Sequence, residues 1–365
     1  MARHPAQLAV GPRVAGGVAV RVAVVCPYDL GAPGGVQDQA TRLVRWLGSA
    51  GHDAVLIGPG ETGPAGAVLL GRTRVITANR SAAPISLDPA AAGRIGEAAS
   101  GADVVHVHEP LMPVVGPAAL RAGAGVKVAT FHADPSRAVR GLYSLGRLAA
   151  RLLLSPAVVL TAVSEVAASA VRPIRPVRIV PNGIDVGEYG GGAQVPGRVV
   201  FLGRDDPRKG LDLLLEAWPQ VIAALPAATL EVVGADRPQE HAAVRFLGPA
   251  SEAGKRAALA SAQVMAAPNT GAESFGLAVL EGMASGCAVV ASGSPAFAAL
   301  LAGSGVLVAP SDAGGLAGAI IRLLQDDDRR SSLGAAARER AMTFDGPVVA
   351  RAYLDAYEEA LTLAG

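Results

Sequence analysis

Two series of short, β-branched apolar runs, each run followed by a segment long enough for a helix, organise this 365-residue chain. A strand covered on both faces reads as a continuous apolar run, whereas a half-exposed strand alternates. The pattern therefore predicts parallel strands joined by helical crossovers, that is, α/β doubly wound sheets. The first series comprises Arg21–Pro27, Ala54–Ile57, Val104–Val107, Lys127–Phe131 and Val158–Ala162. A helix over Gly35–Ala50 is indicated by Ala40, Leu43, Val44 and Leu47 and by the stop at Gly51. The second series comprises Arg198–Leu202, Thr229–Val233, Val244–Leu247, Val264–Ala267, Ala288–Ala291 and Val306–Val308, with a helix over Leu211–Ala224. Between the series, Pro181–Gly197 is dense in glycine and lacks a period, as an interdomain linker would be. The last segment, Val348–Leu363, repeats Val349, Tyr353, Tyr357 and Leu361 four apart, an amphipathic helix able to pack back on the first domain. The expected architecture is two Rossmann-like domains, 21–190 and 191–345, with 346–365 returning to the first. Ligands belong at the carboxyl ends of the strands, in a deep interdomain cleft.

Composition narrows the class. Hydrophobic residues make up 51% of the chain, enough for two cores at this length, while aromatics are only 4%, so Ala, Val and Leu do the packing. Cys26 and Cys287 lie in apolar runs and read as buried thiols, which suggests a reducing compartment and no thiol-bound metal. No run approaches the ~20 apolar residues of a spanning helix. Residues 1–20 hold Arg3, Arg13 and two prolines, and lack the unbroken apolar stretch of about 7–15 residues that marks a signal peptide. They read as an unstructured extension or an early start. The net charge of +1 hides a split: residues 1–178 carry 18 basic against 10 acidic side chains, and residues 179–365 carry 14 against 21. A positive first half suits an anionic partner such as a phospholipid surface or a phosphorylated acceptor; chance is the alternative.

Four strings carry chemistry. In Ala32-Pro33-Gly34-Gly35-Val36, after the first strand, paired glycines let amides approach a phosphate at a helix N-terminus, or simply make a tight turn. Gly203-Arg204 and Arg208-Lys209-Gly210 put cations at a strand–helix turn, where they would neutralise a diphosphate leaving group. The adjacent Asp205 and Asp206 are rival partners for those cations. Asn269–Leu277 opens a helix containing Glu281, with Glu273 at its entrance. The spacing puts the two carboxylates roughly on one side, available to sugar and ribose hydroxyls, and leaves the amides of Phe275, Gly276 and Leu277 for an oxyanion. His132 follows a buried strand at its ligand-binding end. His106 and His108, two apart on one strand face with Glu109 beside them, raise a metal site as an alternative to structural histidines.

Taken together, VCPYDLGAPGGVQ, VHVHEP, ATFHA, VPNGID, FLGR followed by PRKG, and PNTGAESFGLAVLEGMASGCAVVAS resemble the GT-B retaining glycosyltransferases of family four, and more narrowly the actinobacterial phosphatidylinositol mannosyltransferases. The resemblance spans Arg21 to about Ser292. It implies that Gly34 and Gly35 line the donor diphosphate and that Arg204 and Lys209 hold the phosphates. Glu273 would contact the donor sugar beside the amides of Phe275, Gly276 and Leu277, and Glu281 would bind the ribose. His132 would lie between donor and acceptor, with Tyr28, Gln37 and Arg137 facing the acceptor. The family implies a nucleotide-sugar donor, GDP-mannose for the mannosyltransferases, an acceptor such as phosphatidylinositol, and no metal or other cofactor. It also implies a cytoplasmic enzyme, peripheral on the inner face of the plasma membrane, with no nucleic-acid partner. Four departures touch the acceptor side. Leu111 and Ala133 stand where the mannosyltransferases have Asn and Thr, Arg137 stands where they have Lys, and 78–89 lacks their basic aromatic segment. In 136–155, Arg137, Arg140, Arg147 and Arg151 beside Leu142, Leu145, Leu148 and Leu152 offer a basic amphipathic stripe, for an anionic bilayer or for packing on the first domain.

Competing readings are a soluble sugar or metabolite acceptor, an NAD-dependent oxidoreductase and a non-catalytic sugar-nucleotide-binding protein. The second requires G-x-G-x-x-G, which Gly34-Gly35-Val36-Gln37 does not supply. The third is disfavoured by the presence of Glu273, Lys209 and His132 together.

Overall fold

The computed structural model describes residues 19–78, 81–133, 146–238, 243–271 and 273–365, those in 77–83 by backbone alone. Arg137, the first half of the basic stripe and residues 1–18 lie outside the described residues. The chain divides into two compact units, Met1–Asn182 with Gly346–Gly365, and Gly183–Asp345.

The strands of the first unit are β1 (Arg21–Val25), β2 (Asp53–Gly58), β3 (Val68–Leu69), β4 (Arg74–Ala78), β5 (Ser81–Ile85), β6 (Val104–His108), β7 (Val126–Phe131), β8 (Ala157–Ala162) and β9 (Arg178–Ile179). Seven form a parallel sheet in the order β3-β2-β1-β6-β7-β8-β9, while β4 and β5 pair antiparallel outside it. The helix Gly35–Ser49 buries Ala40, Leu43, Trp46 and Leu47 at helical spacing, and Gly51 beyond its end takes φ 86°. The terminal helix Gly346–Ala364 places Val349, Ala350, Tyr353 and Tyr357 in the same core as Val22, Val24, Leu43 and Val128. Each large side chain buried there contributes roughly 1.5–3 kcal/mol.

The second unit holds β10 (Arg198–Leu202), β11 (Thr229–Val233), β12 (Val244–Phe246), β13 (Val264–Ala267), β14 (Ala288–Ser292) and β15 (Val306–Val308), parallel in the order β12-β11-β10-β13-β14-β15. Its core joins Phe201, Leu214, Trp218, Leu230, Val264, Val290 and Ile320. In each unit the strand order reverses beside the first strand, at β1/β6 and at β10/β13. Such a switch point opens a crevice at the carboxyl ends of the strands.

One expectation is corrected. The unit boundary falls after Asn182, not after residue 190, and Pro181–Gly197 is no loose linker. Ile184 N donates to Phe344 O, Val186 N donates to Asp345 Oδ1 at 2.9 Å, and the Tyr189 hydroxyl reaches Glu281. With Ile184, Val186 and Tyr189 buried, the segment is part of the second unit.

Candidate active site

In the first unit the loops after β1, β6 and β7 open at the switch point. Asp29 shapes the first: its carboxylate accepts from Gly31 N at 2.9 Å and from Thr73 Oγ1 at 2.6 Å. Gly34 is extended at the start of the helix Gly35–Ser49, which has no side-chain cap, so its first amides are available to an anion. Gln37 folds back, donating from Nε2 to Asp29 O at 3.3 Å, and occupies the space where a Gly34 Cβ would stand. Tyr28 is half-buried and bridges to Ile85.

The ends of β6 and β7 carry a buried histidine cluster. The register pairs His108 with Thr130, so His132 lies two residues further on, just past the end of the neighbouring strand. His108 Nδ1 and His132 Nε2 are 2.7 Å apart and share a hydrogen bond, with their rings stacked at 4.9 Å. His106 stacks on His108 at 4.5 Å and spends both nitrogens structurally, on the Tyr357 hydroxyl at 2.7 Å and on Thr130 Oγ1 at 2.6 Å. Burial holds the imidazoles neutral: the pKa of His106 is pushed down to about 3 and that of His132 to about 4, the latter restrained by a hydrogen bond to Asn182. Glu109 has φ 47°, in the left-handed region that non-glycine residues avoid. There its Oε1 accepts from His132 N at 2.7 Å and Ala133 N at 2.8 Å. Burial pushes the Glu109 carboxyl up, against these two amides. His108 Nε2 and Asn182 Oδ1 are buried with no hydrogen-bond partner among the described residues; a further polar group would satisfy them.

In the second unit, β10 leads through Gly203 and Arg204 to a short 3₁₀ turn, Pro207–Lys209. Gly210, at φ 75°, then starts the helix Leu211–Ala224, and a Cβ there would run into the Pro268 carbonyl oxygen. The close approach brings the β13 loop alongside: Thr270 N and Gly271 N both donate to Arg208 O. It also lets Lys209 Nζ reach Glu273 Oε2 at 2.7 Å, which Asn269 Nδ2 contacts at 3.0 Å. Asp206 takes Arg208, and Asp205 takes Arg237. Arg204 is exposed and forms no ion pair among the described residues. The arrangement presents two cations and a carboxylate at the mouth of a strand–helix turn, the means to hold a diphosphate and a sugar hydroxyl together.

Sequence comparison decides the family. Residues 33–188 match the family described as Glycosyltransferase Family 4, and residues 196–326 that described as Glycosyl transferases group 1. A phosphatidyl-myo-inositol mannosyltransferase of Mycolicibacterium smegmatis is 34% identical over 368 residues, 93% of this chain and 94% of that protein. Its Mycobacterium tuberculosis counterpart is 34% identical over 95% of this chain and 98% of that protein. This chain is a family-four glycosyltransferase. Its fold is that of sucrose-phosphate synthase from Thermosynechococcus elongatus, with a TM-score of 0.71 at 22% identity over 95% of this chain and 100% of that one.

Several residues of this glycosyltransferase lie differently from the sequence expectation. The helix opens at Leu277, after Gly276 at φ 103°, so Glu273 stands in the preceding loop and shares no helical face with Glu281. A Cβ on Gly276 would meet the Phe297 ring, and Phe275 turns inward against Phe344. Their backbone therefore sets the N-terminus, where Leu277 and Ala278 of the first turn are half-exposed residues. Glu281 is buried, accepting from Lys255 Nζ at 2.7 Å and Tyr189 Oη at 3.0 Å. Burial raises its pKa despite these partners, while Glu281 and Glu252 keep Lys255 charged. Of the expected rivals, Asp205 pairs with Arg237 and Asp206 with Arg208, while Arg204 still acts on Asp206 through its charge. Tyr189, Arg237 and Lys255 carried no sequence signal, and Asn182 and Asn269 lay inside quoted strings without a role, because each meets its partner through the fold. No group of three or more His, Cys, Asp or Glu that could hold a metal occurs among the described residues, and the His106–His108 pair is occupied by Tyr357, Thr130 and His132. Among them, too, no helix is long and apolar enough to cross a membrane. Of the basic stripe, the helix Arg147–Leu153 is described, with Leu148 and Leu152 exposed at 73% and 61%.

Proposed function

We propose that this glycosyltransferase moves mannose from GDP-mannose to phosphatidylinositol or a related anionic lipid, with retention at the anomeric carbon and without a metal. The carrying observation is the Lys209–Glu273 pair in the loop that also carries Arg204, which forms no ion pair among the described residues, in a chain whose relatives are named for mannosyl transfer to phosphatidyl-myo-inositol. Bound donor would take over the pair: Lys209 and Arg204 would turn to the diphosphate, and Glu273 to a sugar hydroxyl. As the sugar–phosphate bond opens, negative charge grows on the leaving oxygen, where two fixed cations and helix-terminal amides replace what a metal would supply. The leaving phosphate would accept the proton of the acceptor hydroxyl. His132, held neutral and clamped by His108 and Glu109, would orient that hydroxyl rather than serve as an acid. Glu281 and its partners Lys255 and Tyr189 would serve the ribose. The exposed Leu148 and Leu152 beside Arg147 and Arg151 fit shallow contact with an anionic bilayer on its cytoplasmic side.

The test is transfer of labelled mannose from GDP-mannose to phosphatidylinositol vesicles in excess EDTA. The expected product is an α-mannosyl lipid, formed undiminished by the chelator. A second reading, a soluble acceptor, draws on Leu111, Ala133 and Arg137 at the acceptor positions. It predicts donor turnover with water-soluble sugars or inositol phosphates and no labelled lipid.

A further inference from the structure

Two of the five charged residues between Gly203 and Gly210 are carboxylates, Asp205 and Asp206, adjoining the cations that the donor reading assigns to the diphosphate. Left alone, a carboxylate next to Arg204 would compete with a phosphate oxygen for the guanidinium and lower the local potential. The fold gives each another ion-pair partner. Asp206 caps the 3₁₀ turn, accepting from Arg208 N at 3.0 Å and from Arg208 Nε at 3.0 Å. Asp205 is turned to Arg237, whose Nε and terminal nitrogen donate to its two oxygens at 2.8 and 2.5 Å. The other terminal nitrogen of Arg237 holds Asp212 Oδ1 at 2.6 Å, in the first turn of the helix Leu211–Ala224.

The backbone around Arg237 is arranged for this contact. Gly234, directly after β11, has φ 93°, and a Cβ there would strike Gly203 O. The lack of a side chain lets the β11 loop lie against the β10 loop, which carries Arg237 to Asp205. Arg208 and Lys209 are paired with Asp206 and Glu273, so Arg204 is the cation of its loop with no ion pair among the described residues.

We propose that Arg237 is a positioning residue for the donor: by drawing Asp205 and Asp212 to itself, it leaves Arg204 available to the diphosphate. The proposal rests on the donor reading above and names a residue outside its binding set.

The test is calorimetric binding of GDP and UDP to the full chain and to Arg237→Gln, Asp205→Asn and the double variant, with melting temperatures alongside. Arg237→Gln should weaken nucleotide binding roughly tenfold, the order expected when one carboxylate goes unneutralised a few ångströms away. Asp205→Asn alone should bind at least as well as the parent, and adding it to Arg237→Gln should restore affinity. A double variant as weak as Arg237→Gln would overturn the proposal, because Arg237 would then touch the nucleotide itself. So would an Arg237→Gln variant whose melting temperature falls while affinity stays. A parent that binds GDP or UDP but transfers no mannose leaves these arms readable and contradicts only the sugar assignment; a parent that binds neither overturns both.

Discussion

At the residue scale, the candidate side chains of each unit meet partners that lie far along the chain. Lys209 and Glu273 are 64 positions apart, and His108 and His132 are 24 apart. Lys209→Met should lower kcat/KM about 10²- to 10³-fold, as loss of one stabiliser of transition-state charge does, with little change in melting temperature. Steady-state donor turnover reads the first and a thermal melt the second. The histidine cluster makes a pH prediction. Burial lowers the pKa values of His106, His108 and His132, so their neutral forms persist where exposed imidazoles titrate. NMR of ring protons from about pH 8 to about pH 5 should show these three silent, whereas an exposed histidine moves near 6.5. The unfolded chain takes up those protons below about 6.5 and the folded chain does not. The stability they give is therefore complete above that value and lost as pH falls toward about 4, while the raised Glu109 pulls the other way.

At the scale of elements, legibility followed the environment of each segment. β10, β11, β13 and β15 and the helix Leu211–Ala224 fall on the bounds read from sequence; for β10 and β13 the reason is that a strand covered on both faces reads as a continuous apolar run between turn residues. The β4–β5 pair was not legible: Arg74–Ala78 has Val75 70% exposed, and its partner contains Pro84, so neither shows an alternation or an apolar run. The two-residue strands β3 and β9 are too short to carry a period. The helix opens only at Leu277, after the αL turn at Gly276, where a Cβ would meet Phe297, a long-range contact that local propensity does not register. The strand–helix turn makes a sharper test. Gly210→Ala meets left-handed strain of about 1–2 kcal/mol and, in addition, a backbone collision with Pro268. Chemical denaturation should show destabilisation above that figure. Tyr357→Phe, which strips His106 of a buried partner on the terminal helix, should cost about 1–3 kcal/mol by the same measurement.

At the scale of the whole molecule, the sequence foretold two α/β units and the return of the last helix, because helix and strand periods and the glycine-rich break are local properties. It placed the break eight residues late, because the ties of Ile184, Val186 and Tyr189 to Phe344, Asp345 and Glu281 are long-range. The family, and glycosyl transfer with it, was legible because the β10 and β13 loops keep their residue types at fixed spacing. The acceptor was less so, since Leu111 and Ala133 depart from the pattern that the resemblance implies for the acceptor side. The central claim is that Arg204 and Lys209 hold a sugar diphosphate without a metal. Equilibrium binding of GDP-mannose in EDTA to the parent and to Arg204→Ala/Lys209→Met tests it most directly. The account predicts saturable binding by the parent, unchanged by the chelator, and none by the double variant. Equal binding by both proteins, or binding that returns only when a divalent cation is restored, would contradict it.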